Sequence, residues 1–317
     1  MEQLLSVRDL SVTYRQSGGR RLEAVKQANF ELGQGEVLGI VGESGAGKST
    51  IGWGILGMIG PPHLCHGDVI VKGRNVLSMG ESELREYRWK DVAMVFQSAM
   101  NSLDPVITVG KNMVQLLMDK RVVRSKEEAR EYTTNLFRTV GLAEVVPDMY
   151  PFELSGGMKQ RVSIAMALST NPRILIADEA TTALDTVTQF SVLTLLGDLR
   201  KAGKIGGMIL ISHDLSVQAY MADRVIVMLQ GRIVEVGSKE EVFKEPKHPY
   251  TQFLVGSLSM EKQLKRAVRV AGEGSTAPEG CPFTNACPNV MPRCREKFPE
   301  MTNLSQTRSV ACYLHER

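Results

Sequence analysis

The chain has 317 residues, 43% of them hydrophobic and 23% charged, with a formal net charge of +3; this is the balance of a globular protein of one or two domains with room for a sizeable core. So small a basic excess gives no electrostatic footing for nucleic acid or an anionic membrane as the main partner. No apolar run approaches the roughly 18–20 residues that span a bilayer, and the start of the chain, with Glu2 and Asp9, does not read as a signal peptide; the expectation is a cytoplasmic chain that meets a membrane only through partners.

In chain order, Val7–Tyr14 alternates polar and apolar residues and predicts an edge strand. Glu36–Val41 is a short apolar run ending in a glycine-rich turn, and Thr50–Ile59 reads as helix despite Gly52, Gly54 and Gly57. Ser82–Trp89 and Lys126–Val140 are charged, periodic helix candidates, interrupted by a proline turn in Asn101–Val109. Ser155–Ser169 has helical spacing and stops before Asn171-Pro172. Ile174–Ala177 and Met208–Ile211 have the look of buried parallel strands, with Thr188–Lys201 as the crossover helix. Arg224–Leu229 and Ile233–Val236 flank Gln230-Gly231 and predict a hairpin. Met260–Val270 is a basic helical stretch, and Ala271–Gly280 is linker-like. Alternation of strands and helices favours an α/β fold with a largely parallel sheet and a helix-rich subdomain at about 98–170.

Three segments carry chemistry. Gly42, Gly47, Lys48 and Ser49 meet the pattern G-x-x-x-x-G-K-[ST] between a predicted strand and a predicted helix. In such a loop, backbone N–H groups and the positive helix end cradle phosphates. Residues Gly42, Glu43, Ser44, Gly45, Ala46, Gly47, Lys48, Ser49 and Thr50 form it, with Lys48 for the β and γ phosphates of ATP and Ser49 for Mg²⁺. Ile174–Glu179 (ILIADE) places Asp178 to hold Mg²⁺ through water and Glu179 to polarise the attacking water. Leu154–Arg161 (LSGGMKQR) puts Ser155, Gly156 and Gly157 before a helix, a second anion-binding N-terminus. Taken singly, the last two are an ordinary strand end and an ordinary N-cap.

In this order and spacing the three segments resemble the nucleotide-binding subunits of ABC transporters, and the resemblance covers nearly the whole chain. It implies an ABC-type P-loop NTPase core (1–255) with an N-terminal antiparallel β part, the helical subdomain, and a small C-terminal extension (256–317). It also implies roles for single residues. Gln97 is the Q-loop glutamine that senses Mg²⁺ and nucleotide, Ala183-Leu184-Asp185 the D-loop, and His213 the switch histidine on the γ-phosphate. Tyr14 stands where an aromatic stacks on adenine. Two cassettes would sandwich each ATP between one phosphate loop and the other's Ser155–Gly157 segment.

Phe96–Val106 (FQSAMNSLDPV) and Lys247–Gln252 (KHPYTQ) narrow the resemblance to dipeptide and oligopeptide importer ATPases, with Ala180 in place of their usual proline. That implies a second, different ATPase subunit, two membrane permeases and an extracytoplasmic binding protein, with this chain peripheral at the cytoplasmic face of the membrane. Nickel, metallophore, glutathione and oligosaccharide importers use similar ATPases. A soluble ABC ATPase of translation or repair is the other class, but its second cassette or coiled insertion is missing here.

Four of the five cysteines, Cys281, Cys287, Cys294 and Cys312, fall in the last 37 residues at C-x5-C-x6-C-x17-C spacing, which has no CxxC pair and differs from ferredoxin spacing. It resembles the C-terminal cysteine motif that ligates a [4Fe–4S] cluster in some of these importers. Zinc, or a tail with incidental thiols, are the alternatives, and a redox sensor in which ATP use is secondary is a further reading. Cys65, between His63 and His66, reads as loop rather than metal site.

Overall fold

The computed structural model describes residues 2–96, 103–182, 184–256 and 279–316. Gln97, Ala183, Met260–Val270 and linker residues 271–278 lie outside them. The strands are β1 (Gln3–Arg15), β2 (Arg21–Gly33), β3 (Val37–Val41), β4 (Leu64–Val71), β5 (Arg74–Asn75), β6 (Val92–Val95), β7 (Ile174–Asp178), β8 (Gly207–Ile211), β9 (Arg224–Leu229), β10 (Arg232–Ser238), β11 (Thr302–Asn303) and β12 (Ser309–Val310). The helices are α1 (Lys48–Ile55), α2 (Glu81–Lys90), α3 (Val109–Asp119), α4 (Lys126–Thr139), α5 (Gly156–Leu168), α6 (Thr186–Lys201), α7 (Leu215–Met221), α8 (Lys239–Lys244), α9 (Pro249–Gly256) and α10 (Arg293–Glu296). None is long and apolar enough to cross a membrane, among the described residues.

The chain divides into two compact units. One comprises Met1–Leu4, Leu32–Glu36 and Ser78–Ile209; the other comprises Leu5–Glu31, Val37–Leu77 and Leu210–Arg317. In the second unit, one sheet runs β2-β1-β4-β5. The expected edge strand β1 is therefore central in it, paired antiparallel with β4 from Leu5↔Val71 to Thr13↔Leu64. The sequence concealed this because β4 carries His66, Gly67 and Asp68 along its exposed stretch, which breaks the apolar pattern. The unit's other strands run β11-β12-β10-β9-β3. Here β3 and β9 are parallel, Val41 opposite Val227, and the predicted hairpin of β9 and β10 is present. It turns through Gln230 (φ 44°) and Gly231 (φ 84°), the left-handed pair a two-residue hairpin turn requires. Val41, Val225, Val227, Tyr250, Cys281 and Phe283 share one buried core there.

In the first unit β6 and β7 are parallel, Val92 opposite Ile174, and every residue of both is buried. The helices around them begin on side-chain caps that satisfy otherwise orphaned N–H groups. Thr108 caps α3, Ser125 caps α4, Ser155 caps α5 and Asp185 caps α6. Helix α3 was not expected, since only the proline turn before it was legible. It packs on α4 through Leu117, Val123 and Ala129.

Candidate functional site

In the second unit, the fully buried strand β3 delivers the chain at Val41 into the loop 42–47, and α1 starts at Lys48. Gly47 caps that helix at φ 99°, and a Cβ there would lie 2.2 Å from the Ala24 carbonyl oxygen, so no other residue closes the loop in this form. The Lys48 ammonium is buried and donates to the carbonyl oxygens of Gly42 (2.9 Å) and Glu43 (2.8 Å). A flexible cation is thereby turned back over its own loop, with its charge kept at the loop's centre. Ala46 N–H donates to the Glu43 oxygen (3.2 Å), and the Ala46 oxygen accepts from Gly231 N–H (3.0 Å), so the β9–β10 turn braces the loop from behind. Burial raises the Glu43 carboxyl above its usual range, with the Lys48 charge acting in the opposite direction.

Ser44 and Gly45 form the exposed crest of the loop, and Ser49 is half-buried on the first turn of α1. The Tyr14 hydroxyl lies 3.4 Å from Thr50 Oγ1, and its ring meets His63 edge-on at 4.9 Å. The residue expected to stack on adenine thus stands over the first turn of α1. His63 accepts a hydrogen bond from Arg15 N–H; Cys65 and His66, expected in a loop, instead lie on strand β4, paired with Val12 and Ser11 of β1. His213 is exposed between β8 and α7. Its neighbours hold it there: Ser212 N–H donates to Ile40 O, Asp214 N–H to Ser212 Oγ, and Asp214 caps α7.

The first unit holds the carboxylate pair and the Ser-Gly-Gly segment. Asp178 ends the buried strand β7. Glu179 follows at φ 48°, a left-handed backbone that costs a non-glycine residue on the order of 1 kcal/mol. Such strain persists where surrounding structure over-determines it. Here Thr182 N–H donates to the Glu179 carbonyl (3.0 Å) and the Thr182 hydroxyl to the Glu179 carboxylate (3.2 Å). Ser155 Oγ accepts from Met158 N–H to cap α5. A Cβ on Gly157 would fall 2.6 Å from Thr188 Cγ2, which makes glycine the condition for close packing of α5 on α6. Asp185, expected as the D-loop aspartate, accepts from Thr188 N–H at 3.0 Å; the hydrogen bonds it accepts from Thr188 hold its carboxyl below the usual range.

The cysteines belong to the second unit. Cys281, Cys287, Cys294 and Cys312 line one pocket with His248, and all are free thiols. Burial pushes the Cys281 thiol up to about 11, and it raises Cys287 and Cys312 as well. Among the described residues, no three His, Cys, Asp or Glu side chains are gathered as ligands of a single ion.

Sequence reasoning used Lys247–Gln252 only as a marker and missed what it does. Glu235 on β10 is fully buried, and its carboxylate accepts from Lys247 N–H (3.0 Å), His248 N–H (2.8 Å) and the Arg308 guanidinium (2.7 Å). Thus anchored, the segment sends the Tyr250 hydroxyl to accept from Glu43 N–H (3.2 Å).

Residues 25–182 match the family described as ABC transporter, and residues 234–294 match the oligopeptide/dipeptide transporter C-terminal region. The chain is 38% identical to the dipeptide transport ATP-binding protein DppD of Bacillus subtilis, covering 100% of this chain and 96% of that one. It is 38% identical to the oligopeptide transport ATP-binding protein OppD of Escherichia coli, covering 98% and 93%. In structure it resembles the dimeric ABC transporter cassette MJ0796 at TM-score 0.66 and 30% identity, over 74% of this chain and 99% of that one. It resembles the same cassette in a post-hydrolysis dimer bound to ADP and Pi at TM-score 0.66 and 31% identity, over the same shares. The chain therefore belongs to the ABC transporter ATP-binding proteins, ATP-hydrolysing P-loop subunits with the mixed α/β cassette fold, and within them to the dipeptide and oligopeptide transport group.

Proposed function

We propose that this chain binds ATP with Mg²⁺ and that its hydrolysis drives uptake of di- and oligopeptides through separate membrane permeases. The observation that carries the reading is the loop 42–47 at the start of α1 with the buried Lys48 ammonium turned over it, a helix N-terminus and a cation together suited to a polyphosphate. Lys48 binds the β and γ phosphates, Glu179 orients the attacking water, His213 meets the γ-phosphate, and Tyr14 serves the base. Ser49, Gln97 and, through water, Asp178 would hold Mg²⁺, which would neutralise charge on the phosphates. Ser155, Gly156 and Gly157 serve the ATP of a partner cassette. By this reading residues 1–255 are the nucleotide-binding part and 256–317 the extension.

Permeases and an extracytoplasmic binding protein complete the importer, with the ATPase peripheral at the cytoplasmic face and a second, different ATPase beside it. Substrate choice rests with the binding protein and permeases, so the peptide reading follows the relatives rather than any pocket of this chain. Lys48→Ala is expected to abolish ATP turnover in the assembled transporter; wild-type turnover would remove the loop from the mechanism. Cells lacking the chain are expected to lose uptake of labelled di- and oligopeptides while uptake of nickel, glutathione and oligosaccharides stays as before. The reverse pattern would assign the motor to another cargo.

The cysteine pocket has the donor chemistry for a soft, thiolate-bound group, four thiols on one cavity. We propose Cys281, Cys287, Cys294 and Cys312 as holders of a [4Fe–4S] cluster, which supplies one-electron redox capacity when bound. Cysteines ligate as thiolates, so loading must release their protons. Iron and sulfide analysis after anaerobic purification decides: both should be present and be lost in Cys287→Ser, whereas zinc alone would replace the cluster by a structural ion.

A further inference from the structure

The His248-Pro249-Tyr250 segment has two ends, and they touch different things. At one end His248 is buried, its Nδ1 accepts from Tyr250 N–H (3.0 Å), and its Nε2 lies 3.9 Å from Cys281 Sγ. With Nδ1 accepting, the ring proton of a neutral imidazole sits on Nε2, facing the thiol. At the other end the fully buried Tyr250 takes the N–H of Glu43 in the phosphate loop. Glu43's carbonyl is the oxygen held by Lys48 and by Ala46 N–H. The peptide units on both sides of Glu43 are therefore pinned, one by Tyr250 and the other by the loop's own cation. Phe283, two residues after Cys281, ties the ends together: its ring lies 5.5 Å from that of Tyr250, edge-on, and 6.4 Å from that of His248.

We infer that Tyr250 is a positioning residue of the phosphate-binding loop, and that the segment from His248 to Tyr250, with Phe283 behind it, transmits the packing of the cysteine-lined pocket to that loop. The inference rests on the reading of loop 42–47 as the ATP site. A displaced Cys281 moves Phe283 and His248, and Tyr250 has no slack to absorb this, because its ring is buried and its hydroxyl is committed to Glu43.

Phenylalanine at 250 keeps the ring and loses only the hydroxyl, so a role limited to packing predicts no change in nucleotide affinity. We expect Tyr250→Phe in the assembled transporter to raise KM for ATP about fivefold, the scale of one net hydrogen bond, and proportionally more than it lowers kcat. The Kd of a non-hydrolysable ATP analogue should rise by the same factor. Phe283→Leu should weaken the analogue about as much by itself and add little in the Tyr250→Phe background. Wild-type Kd in Tyr250→Phe overturns the positioning role, and additive effects of the two substitutions overturn the transmission. Lys48→Ala is the control: if it too leaves analogue binding intact, the nucleotide site itself is misassigned, whereas lost binding there beside wild-type binding in Tyr250→Phe sinks this inference alone.

Discussion

Glu235 and Arg308 form a buried ion pair, 0% and 5% exposed, at 2.7 Å, and nearly everything about the Lys247–Tyr250 segment depends on it. Glu235→Ala removes the acceptor of the N–H groups of Lys247 and His248 and leaves the Arg308 guanidinium buried. Arg308 keeps the carbonyls of Glu241 and Glu245, and a carboxylate of Glu245 at 3.9 Å that is itself exposed. Breaking such a pair from one side costs about 3–5 kcal/mol, and about 4 kcal/mol is expected here. Glu235→Gln keeps an oxygen for the two backbone donors and loses only the charge, for about 2 kcal/mol. Arg308→Met leaves a carboxylate still holding two N–H groups, for about 2–3 kcal/mol. The double variant Glu235→Ala with Arg308→Met should cost about 2–3 kcal/mol, less than Glu235→Ala alone, because methionine removes the orphaned charge and leaves only the unpaired N–H groups. Of the two tryptophans, Trp53 lies on α1 in the same unit as the pair. Urea unfolding followed by Trp53 fluorescence in a Trp89→Phe background therefore reports on this unit, as a shift of midpoint at constant slope. Additive losses in the double variant, or a loss below about 1 kcal/mol in Glu235→Ala, would refute the account of a single anchored carboxylate.

Two further outcomes are open to direct measurement. Glu179→Gln, which keeps the Thr182 contacts nearly isosterically, should slow ATP turnover by about 10²–10⁴-fold, the scale of a lost general base, while nucleotide binding persists; turnover near the wild-type rate would free Glu179 of that role. Burial lifts the Cys65 thiol to about 11, so its thiolate fraction at neutral pH falls about 100-fold; the greater nucleophilicity of a more basic thiolate offsets part of this, and alkylation should slow about 10-fold. Labelling of Cys65 by iodoacetamide as fast as a solvent thiol, followed by peptide mass mapping, would contradict its burial on β4.

What could be read from the sequence, and what could not, divides along a physical line. The phosphate loop, the Asp178-Glu179 pair and the Ser155–Gly157 cap are legible because each is one stretch of backbone whose geometry demands particular residues in immediate succession. Strands β7, β8 and β9 were legible because buried strands need uninterrupted apolar runs, and β10, interrupted by Glu235, through the Gln230-Gly231 turn before it. Strand β6 went unnoticed, since a run of four apolar residues is too short to be told from a helix fragment. The strain at Glu179 has no sequence signature at all: φ 48° is imposed by neighbours, not by a glycine.

The anchor of the Lys247–Tyr250 segment was beyond reach for another reason. Glu235 and Arg308 stand 73 residues apart, and neither looks different from a surface charge until β10 and β12 pair, with Glu235 opposite Val310. Only then does one carboxylate face a guanidinium and two backbone donors in a buried place. A buried ion pair seldom stabilises a fold more than a well-packed apolar pair would. Here the carboxylate does something an apolar pair could not: it takes the N–H groups of Lys247 and His248 and so sets where α9, with Tyr250 in its first turn, begins. Hydrophobic packing tolerates small slides, whereas directional bonds to Glu235 at one end and from Glu43 to Tyr250 at the other do not. That asymmetry explains why a segment remote in sequence from the phosphate loop ends with a hydroxyl on it.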